Sequence, residues 1–235
     1  MKKYVNLFVF VFMIGACLSQ GRAQTKSAVS YKNPVVDIAM PDPTVIKAAD
    51  GYFYVYATES TRNVPIMKSK DLVEWTYCNT AFTNKTRPRF EPKAGIWAPD
   101  INYINGKYVL YYAMSVWGGE QTCGIGVATA NSPQGPFTDH GKMFRSNEIG
   151  VQNSIDPSLL QYEGRNYLVW GSFRGIYVIE LTADGLSIMP GAKKKRIAGT
   201  AFEAVYIHKY GDYYYMFASC LLYTSPSPRD STSSR

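Results

Sequence analysis

The chain has 235 residues, of which 46% are hydrophobic, 18% charged and 14% aromatic. This composition excludes a wholly disordered chain, and the low charge with many turn residues excludes a coiled coil. The formal net charge is +7, but the body without its two ends carries 20 basic and 17 acidic residues, a net charge of +3 that argues against a nucleic-acid partner.

The first 23 residues are typical of an export signal. Lys2 and Lys3 precede an unbroken apolar run, Leu7 to Ile14, which is far shorter than the ~20 residues of a membrane span. We therefore predict a signal peptide at 1–23, no membrane span, and a location outside the bacterial cytoplasm: periplasmic, secreted or anchored at the surface. Two processing routes stay open, namely ordinary signal cleavage and a lipoprotein signal that ends before Cys17 and leaves a lipid anchor there.

Four short β-branched and aromatic runs follow in chain order, and each comes after a tight turn that contains glycine. Successive turn glycines are 55, 58 and 47 residues apart, and the acidic residues that open the preceding strands are 58, 56 and 47 apart. A period of about 50 residues is typical of a β-propeller blade. The runs are Tyr52–Ala57, Lys107–Ala113, Asn166–Gly171 and Tyr213–Ala218, and the acidic residues are Asp42, Asp100, Asp156 and Glu203.

The repeat predicts an all-β propeller, with a β-sandwich of evenly spaced strands as the alternative. In a propeller the innermost strand of every blade lines one central channel, so residues at matching positions converge there. Carboxylates gathered at the mouth of a channel repel one another and raise one another's pKa. Asp42, Asp156 and Glu203 are therefore candidate catalytic residues, whereas Asp100 fits a structural role in a turn.

Four stretches around these acidic residues resemble glycoside hydrolase family 43, whose members are five-bladed propeller arabinanases, arabinofuranosidases and xylosidases. Each stretch is short, but their order and spacing together are specific, and the resemblance covers roughly residues 33–219. The stretches are Met40–Ile46, Gly95–Ile101, Asn153–Leu159 and Phe202–Ile207.

The resemblance implies an inverting hydrolase with three acidic residues in distinct roles. Asp42 would be the general base that activates water, and Glu203 the general acid that protonates the leaving oxygen. Asp156 would orient Glu203 and favour its protonated form. These roles agree with the chemistry, since inversion needs one ionised and one protonated carboxyl group about 6.5–9.5 Å apart, with water between them.

Sugar binding needs a flat apolar face and hydrogen-bonding groups in the same cleft. Trp97 is the candidate for stacking, with a core position between blades as the alternative, and Asn153 is a candidate partner for a sugar hydroxyl. Ser172, Phe173 and Arg174 lie in a stretch that resembles the substrate-lining segment of endo-arabinanases. This stretch favours endo action within the family.

The leading hypothesis is an exported enzyme that cleaves arabinose-containing plant cell-wall polysaccharide or oligosaccharide, namely an endo-1,5-α-L-arabinanase. We expect a monomer that needs no cofactor for its chemistry. The alternative within the family is an exo-acting α-L-arabinofuranosidase or β-xylosidase. A non-catalytic carbohydrate-binding propeller is the alternative of another class.

A five-bladed propeller at this repeat length needs about 80 residues more than the sequence provides. We therefore expect a truncated family member with about three and a half blades at 31–220, whose open strand edges lead to poor folding or inactivity. The Ser/Pro-rich tail at 221–235 is predicted to be non-native sequence, with a disordered linker as the alternative. No metal site is predicted here, and a structural calcium, implied by the resemblance, is expected only in a full-length form.

Overall fold

The computed structural model describes residues 30–220, so the predicted signal peptide, Cys17 and the tail at 221–235 lie outside the described residues. The compact unit begins at Lys32. Within the described part the chain forms fourteen strands and one short helix, α1 (Ser146–Ile149). The all-β fold class predicted from the repeat is confirmed.

The strands form three complete four-stranded antiparallel sheets and one two-stranded sheet, each in simple chain order. Blade 1 contains β1 (Thr44–Lys47), β2 (Phe53–Tyr56), β3 (Pro65–Ser69) and β4 (Thr76–Thr80). Blade 2 contains β5 (Gly95–Ile104), β6 (Lys107–Ser115), β7 (Gly124–Ala130) and β8 (Thr138–Arg145). Blade 3 contains β9 (Ser158–Tyr162), β10 (Arg165–Trp170), β11 (Ile176–Glu180) and β12 (Lys195–Ala198), and blade 4 contains β13 (Phe202–Tyr210) and β14 (Tyr213–Cys220).

The first strands of successive blades lie next to one another, since β1 contacts β5, β5 contacts β9 and β9 contacts β13. This is the radial arrangement of a propeller, in which each first strand is the innermost one. The alternative of a β-sandwich is therefore wrong. The predicted count of about three and a half blades is confirmed for the described residues.

Strand β6 shows why the blades pack on both faces. Its alternate residues Tyr108, Leu110 and Tyr112 enter the core shared with blade 1. The intervening Val109 and Tyr111 enter the core shared with blade 3. Because side chains alternate across a strand, an unbroken apolar run buries both faces. Burial of each large side chain contributes about 1.5–3 kcal/mol to folding.

The turn between β5 and β6 has the backbone that the Asn-Gly sequence predicts. Asn105 has a φ of 48° and Gly106 a φ of 81°. Two successive positive φ angles are those of a type I′ turn, whose twist matches that of the strands it joins. The hairpin thus places the start of β5 and the end of β6 at the same end of the blade.

The structure corrects which residues occupy matching positions in the four blades. A residue with left-handed backbone precedes each innermost strand or forms a bulge within it, and in blades 2 and 4 this residue is not acidic. The bulges interrupt the register between Trp97 and Asp100 and between Glu203 and Tyr206. Asp100 therefore lies two residues beyond the matching position, and Glu203 one residue before it. The matching residues are Asp42 (φ 48°), Ala98 (φ 40°), Asp156 (φ 56°) and Ala204 (φ 50°).

Blade 4 leaves an open edge, as predicted. Among residues 30–220, strand β14 pairs only with β13. All residues of β14 are exposed, including Tyr213, Tyr215 and Phe217. An exposed apolar strand edge of this kind favours association with other chains.

Candidate active site

The loops that can reach the catalytic carboxylates follow from the strand directions. Asp42 and Asp156 precede the innermost strands β1 and β9, so this end of the channel is the mouth. Because neighbouring strands are antiparallel, the loop between the second and third strands of each blade returns to the mouth. These loops are 57–64, 116–123 and 171–175.

A cavity of about 390 Å³ lies along the central channel and is lined by all four innermost strands or the residues that precede them. It contains Asp42, Asp100 and Asp156, and Glu203 comes directly before the lining residue Ala204. The innermost strands therefore bring the predicted catalytic positions to one cavity.

Asp42 lies at the mouth, on exposed backbone before β1. Its Oδ2 atom accepts a hydrogen bond of 2.6 Å from the hydroxyl of Thr58. Thr58 belongs to the loop between β2 and β3, and its backbone N–H donates to the carbonyl of Pro41 at 2.9 Å. The loop thus fixes both the backbone and the carboxylate of the predicted base.

Asp156 is connected directly to the strand that contains Glu203. Its Oδ2 atom accepts a hydrogen bond of 3.1 Å from the backbone N–H of Ala204. Burial, together with the negative charges of Glu203 and Asp42, raises the pKa of Asp156 to about 7, although the hydrogen bond from Ala204 lowers it in part. The three carboxylates therefore act on one another electrostatically, as expected for groups that share one cavity.

Glu203 is held by the segment that was predicted to line the substrate. The buried Ser172 hydroxyl donates to Oε2 of Glu203 at 3.0 Å. The next residue, Phe173, donates its backbone N–H to the carbonyl of Phe202 at 3.0 Å. Ser172 and Phe173 thus attach the loop between β10 and β11 to the start of β13.

Asn153 and Arg174 join two neighbouring loops at the mouth. The Asn153 side-chain amide donates to the carbonyl of Ser172 at 3.0 Å. Arg174 binds both carboxylate oxygens of Glu120, each at 3.0 Å. Glu120 also accepts a 2.7 Å hydrogen bond from Gln152, so blade 2 and blade 3 are bridged at this point.

Trp97 has an aromatic neighbour that the sequence motifs did not indicate. Its ring lies 5.6 Å from that of Trp117, in a tilted arrangement. Trp97 is half-buried, whereas Trp117 is 94% exposed. Together the two rings form an aromatic surface that is open to solvent on the Trp117 side. Trp117, like Thr58 and Glu120, lies in a loop that the blade topology returns to the mouth.

Asp100 has a structural role, as expected from the sequence, but it does not form the predicted turn. It lies within β5 and lines the channel. Its Oδ2 atom accepts 2.7 Å hydrogen bonds from the backbone of Leu159 and the side chain of Asn102. Burial raises the pKa of Asp100 to about 6, although these hydrogen bonds lower it in part.

A comparison with known families identifies the family of this propeller. The model of the family described as Glycosyl hydrolases family 43 matches residues 31–230. The chain belongs to glycoside hydrolase family 43. The resemblance of the four motifs is thereby confirmed, and the propeller is that of the five-bladed arabinanases of the family.

Family 43 relatives with assigned names share about a third of the residues. The arabinan endo-1,5-α-L-arabinosidase A of Aspergillus niger is 31% identical over 199 residues, which cover 80% of this chain and 61% of that protein. The extracellular endo-α-(1→5)-L-arabinanase 1 of Bacillus subtilis is 35% identical over 192 residues, which cover 76% of this chain and 58% of that protein. The chain therefore spans about three fifths of the length of these relatives.

A solved family 43 structure superposes on most of the chain. It is an exo-1,5-α-L-arabinanase from a bovine ruminal metagenomic library, with a TM-score of 0.67 and 31% identity. The superposition covers 81% of this chain and 68% of that one.

Within 30–220, no three His, Cys, Asp or Glu side chains come together as ligands. A structural calcium in a full-length form stays a prediction. No helix in the same range is long and apolar enough to cross a membrane.

Proposed function

We propose that this family 43 protein is an inverting glycosidase that cleaves arabinan. The observation that supports the proposal is the convergence of Asp42, Asp156 and Glu203 at one mouth of the channel, where two of the charges raise the pKa of the third. Family membership supports the reaction class, and the names of the A. niger and B. subtilis relatives support arabinan as the substrate.

In this proposal Asp42 removes a proton from the attacking water. Its Oδ2 accepts from Thr58, which leaves Oδ1 for the water. The oxygen of water attacks the anomeric carbon, the glycosidic carbon–oxygen bond breaks, and the sugar inverts its configuration. A positioned carboxylate of this kind contributes about 10²–10⁴-fold to the rate.

Glu203 delivers a proton to the leaving oxygen. Its Oε2 accepts from Ser172, so Oε1 is the oxygen that carries the acidic proton. Asp156 holds the backbone of the next residue, Ala204. We propose that this bond sets the direction of the Glu203 side chain, which makes Asp156 a positioning residue.

Substrate contacts come from the aromatic pair and the bridged loops. Trp97 and Trp117 present a ring face to a pyranose or furanose ring, and Asn153 and Arg174 hold the loop that bears Ser172. The segment 170–176 and the names of the two relatives support endo action. The exo-arabinanase among the solved structures keeps an exo-acting enzyme as the second candidate.

Product analysis on linear α-1,5-arabinan tests the proposal with a full-length version of the protein. We expect wild type to release oligosaccharides of several lengths. In Asp42→Ala the rate of this release should fall at least 10³-fold. Release of arabinose alone contradicts endo action and favours the exo-acting candidate. If the folded protein binds arabinan but does not hydrolyse it, the assignment as a glycosidase is contradicted and a carbohydrate-binding propeller is favoured.

We propose further that the protein is exported. The basic and apolar leader supports this, as does the word extracellular in the name of the B. subtilis relative. Cell fractionation with mass determination of the mature N-terminus tests it. A mature chain that begins at a lipidated Cys17 indicates an anchor, one that begins near residue 24 indicates ordinary cleavage, and retention in the cytoplasm contradicts the proposal. The monomeric state likewise stays a prediction.

A further inference from the structure

We infer that Thr58 is a positioning residue for the general base, and that its hydroxyl donates the hydrogen bond that fixes the Oδ2 atom of Asp42. The inference rests on the proposed function, because it assigns a role at the same site. It concerns a residue outside the four motifs that identify the family.

The direction of both hydrogen bonds at Thr58 is determined by its partners. The backbone N–H of Ala98 lies 2.7 Å from the Thr58 oxygen and can only donate. The hydroxyl must accept there, and its single proton is left for Asp42, 2.6 Å away. Oδ2 of Asp42 is therefore an acceptor. A hydrogen bond donated to the charged form favours that form.

The neighbouring Glu59 fixes the loop that supplies this hydroxyl. Its backbone N–H donates to the carbonyl of Ile96 at 3.1 Å, and its Oε1 accepts from the Ile96 N–H at 2.9 Å. Both carboxylate oxygens also bind the buried Arg87. Burial opposes ionisation of Glu59, but the hydrogen bonds from Arg87, Asn63 and Ile96 outweigh it and hold its pKa below the usual value.

This anchoring places Thr58 between two blades. Ile96 and Ala98 belong to β5 of blade 2, whereas Thr58 and Asp42 belong to blade 1. The side chain of Glu59 therefore holds the register in which the Thr58 oxygen meets the Ala98 N–H. A displaced loop would leave the hydroxyl free to rotate, and Asp42 would lose a fixed donor.

The remaining charged groups at the mouth act in the opposite direction. Asp156 and Glu203 approach from blades 3 and 4, and Asp100 lies deeper in the channel. Each negative charge there disfavours a further carboxylate. Glu59 is neutralised by Arg87. Among these groups, Thr58 is the one that donates a hydrogen bond to Asp42.

The test uses Thr58→Val, which removes the hydroxyl at nearly constant volume, and Thr58→Ser, which keeps it. On linear arabinan we expect Thr58→Val to lower kcat about tenfold with KM changed less than twofold, and to move the acid limb of the pH profile to higher pH. Thr58→Ser should stay within about threefold of wild type. Thr129→Val is the matched control, because the Thr129 hydroxyl bonds His140 on blade 2, away from the mouth.

A measurement independent of activity keeps the inference separate from the proposed function. The side-chain carboxyl ¹³C signal of Asp42, assigned with Asp42→Asn, is titrated in the full chain. We expect its midpoint to rise by about one pH unit in Thr58→Val and to return in Thr58→Ser. An unchanged midpoint in Thr58→Val, or a Thr58→Ser midpoint equal to that of Thr58→Val, overturns the inference. Absence of hydrolysis in wild type, with the expected titration, contradicts only the proposed function.

Discussion

The hydroxyl of Ser172 donates to Oε2 of Glu203 across a distance of 3.0 Å, from blade 3 to blade 4. Ser172 is 2% exposed, so its rotamer is restricted by packing. The bond therefore fixes one oxygen of the predicted acid and leaves the other for the substrate. Ser172 acts on the reaction through Glu203.

Removal of this hydroxyl should affect catalysis more than folding. In Ser172→Ala we expect kcat on linear arabinan to fall about tenfold or more, since Glu203 loses the bond that orients it. The melting temperature should change little, because alanine keeps the buried volume within one atom. Steady-state kinetics and thermal unfolding provide the two measurements.

Ser69→Ala is the matched control for Ser172→Ala. Ser69 is also 2% exposed, but its hydroxyl bonds Asp71 and Leu72 at the opposite end of blade 1. Its loss should lower stability and leave kcat unchanged. Equal kinetic effects in the two variants would show that the Ser172 bond has no specific role.

Asp100 should make stability depend on pH. Its folded pKa of about 6 exceeds the ordinary value of 3.8, so the folded protein holds this proton more tightly than the unfolded chain. The contribution is fully present below pH 3.8. It is lost as pH rises towards 6, because the unfolded chain ionises first. The expected loss from Asp100 is roughly 3 kcal/mol in the free energy of unfolding.

Urea unfolding of wild type and Asp100→Asn between pH 4 and about 7 measures this contribution of Asp100 to the free energy of unfolding. Asparagine cannot ionise. The free energy of unfolding of wild type should therefore fall relative to that of Asp100→Asn as pH rises. Asp156 shifts in the same direction, with a folded pKa of about 7, and is common to both proteins. A difference that does not vary with pH contradicts the assignment.

The buried ion pair of Glu59 and Arg87 should be costly to break from one side. Their side chains are 8% and 7% exposed, so Glu59→Gln leaves a buried guanidinium without its countercharge. We expect a loss of about 3–5 kcal/mol in the free energy of unfolding. The double variant Glu59→Gln with Arg87→Met should lose less than the sum of the two single variants.

Lys142→Gln is the control for this ion pair. Lys142 and Glu148 also form a salt bridge, but their side chains are 34% and 45% exposed. Solvent screens such a pair, and its loss should cost less than about 1 kcal/mol. Similar losses for Glu59→Gln and Lys142→Gln would contradict the importance of the buried pair.

Trp117 should matter for long substrates. Because it is 94% exposed and lies beside Trp97, Trp117→Ala removes binding surface without disturbing the core. We expect KM for linear arabino-oligosaccharides of six or so units to rise about fivefold, with kcat and the melting temperature nearly unchanged. Trp75→Ala is the matched control, since Trp75 lies at the other end of blade 1 and donates to the carbonyl of Leu72. An unchanged KM in Trp117→Ala would show that Trp117 does not contribute to substrate binding.

Much of the fold could be predicted from local pattern. Asn105-Gly106 specifies a tight turn on its own, and the apolar run of β6 specifies a strand buried on both faces, because these depend on backbone preference and on side-chain alternation. The period of the turn glycines then indicates a blade. Asp42 and Asp156 could be predicted as well, since each precedes a proline at the start of an innermost strand.

Contacts between loops could not be predicted in this way. Thr58 is 16 residues from Asp42, Ser172 is 31 residues from Glu203, and Arg174 is 54 residues from Glu120. No spacing indicates such pairs, because they form only when antiparallel strands return loops of different blades to the same mouth. The one available signal was the topology: the loop after each second strand belongs to this face.

The amino-acid sequence by itself determined the strands, their turns, the blade period and the acidic residues that enter the channel. Tertiary structure decided which of those residues are equivalent. Bulges in β5 and β13 shift which residues match between blades. Ala98 and Ala204 therefore occupy the positions that match Asp42 and Asp156, and Asp100 lies deeper in the channel. The physical reason is that a bulge sets two residues of one strand against one residue of its partner, and this depends on how the two strands pair.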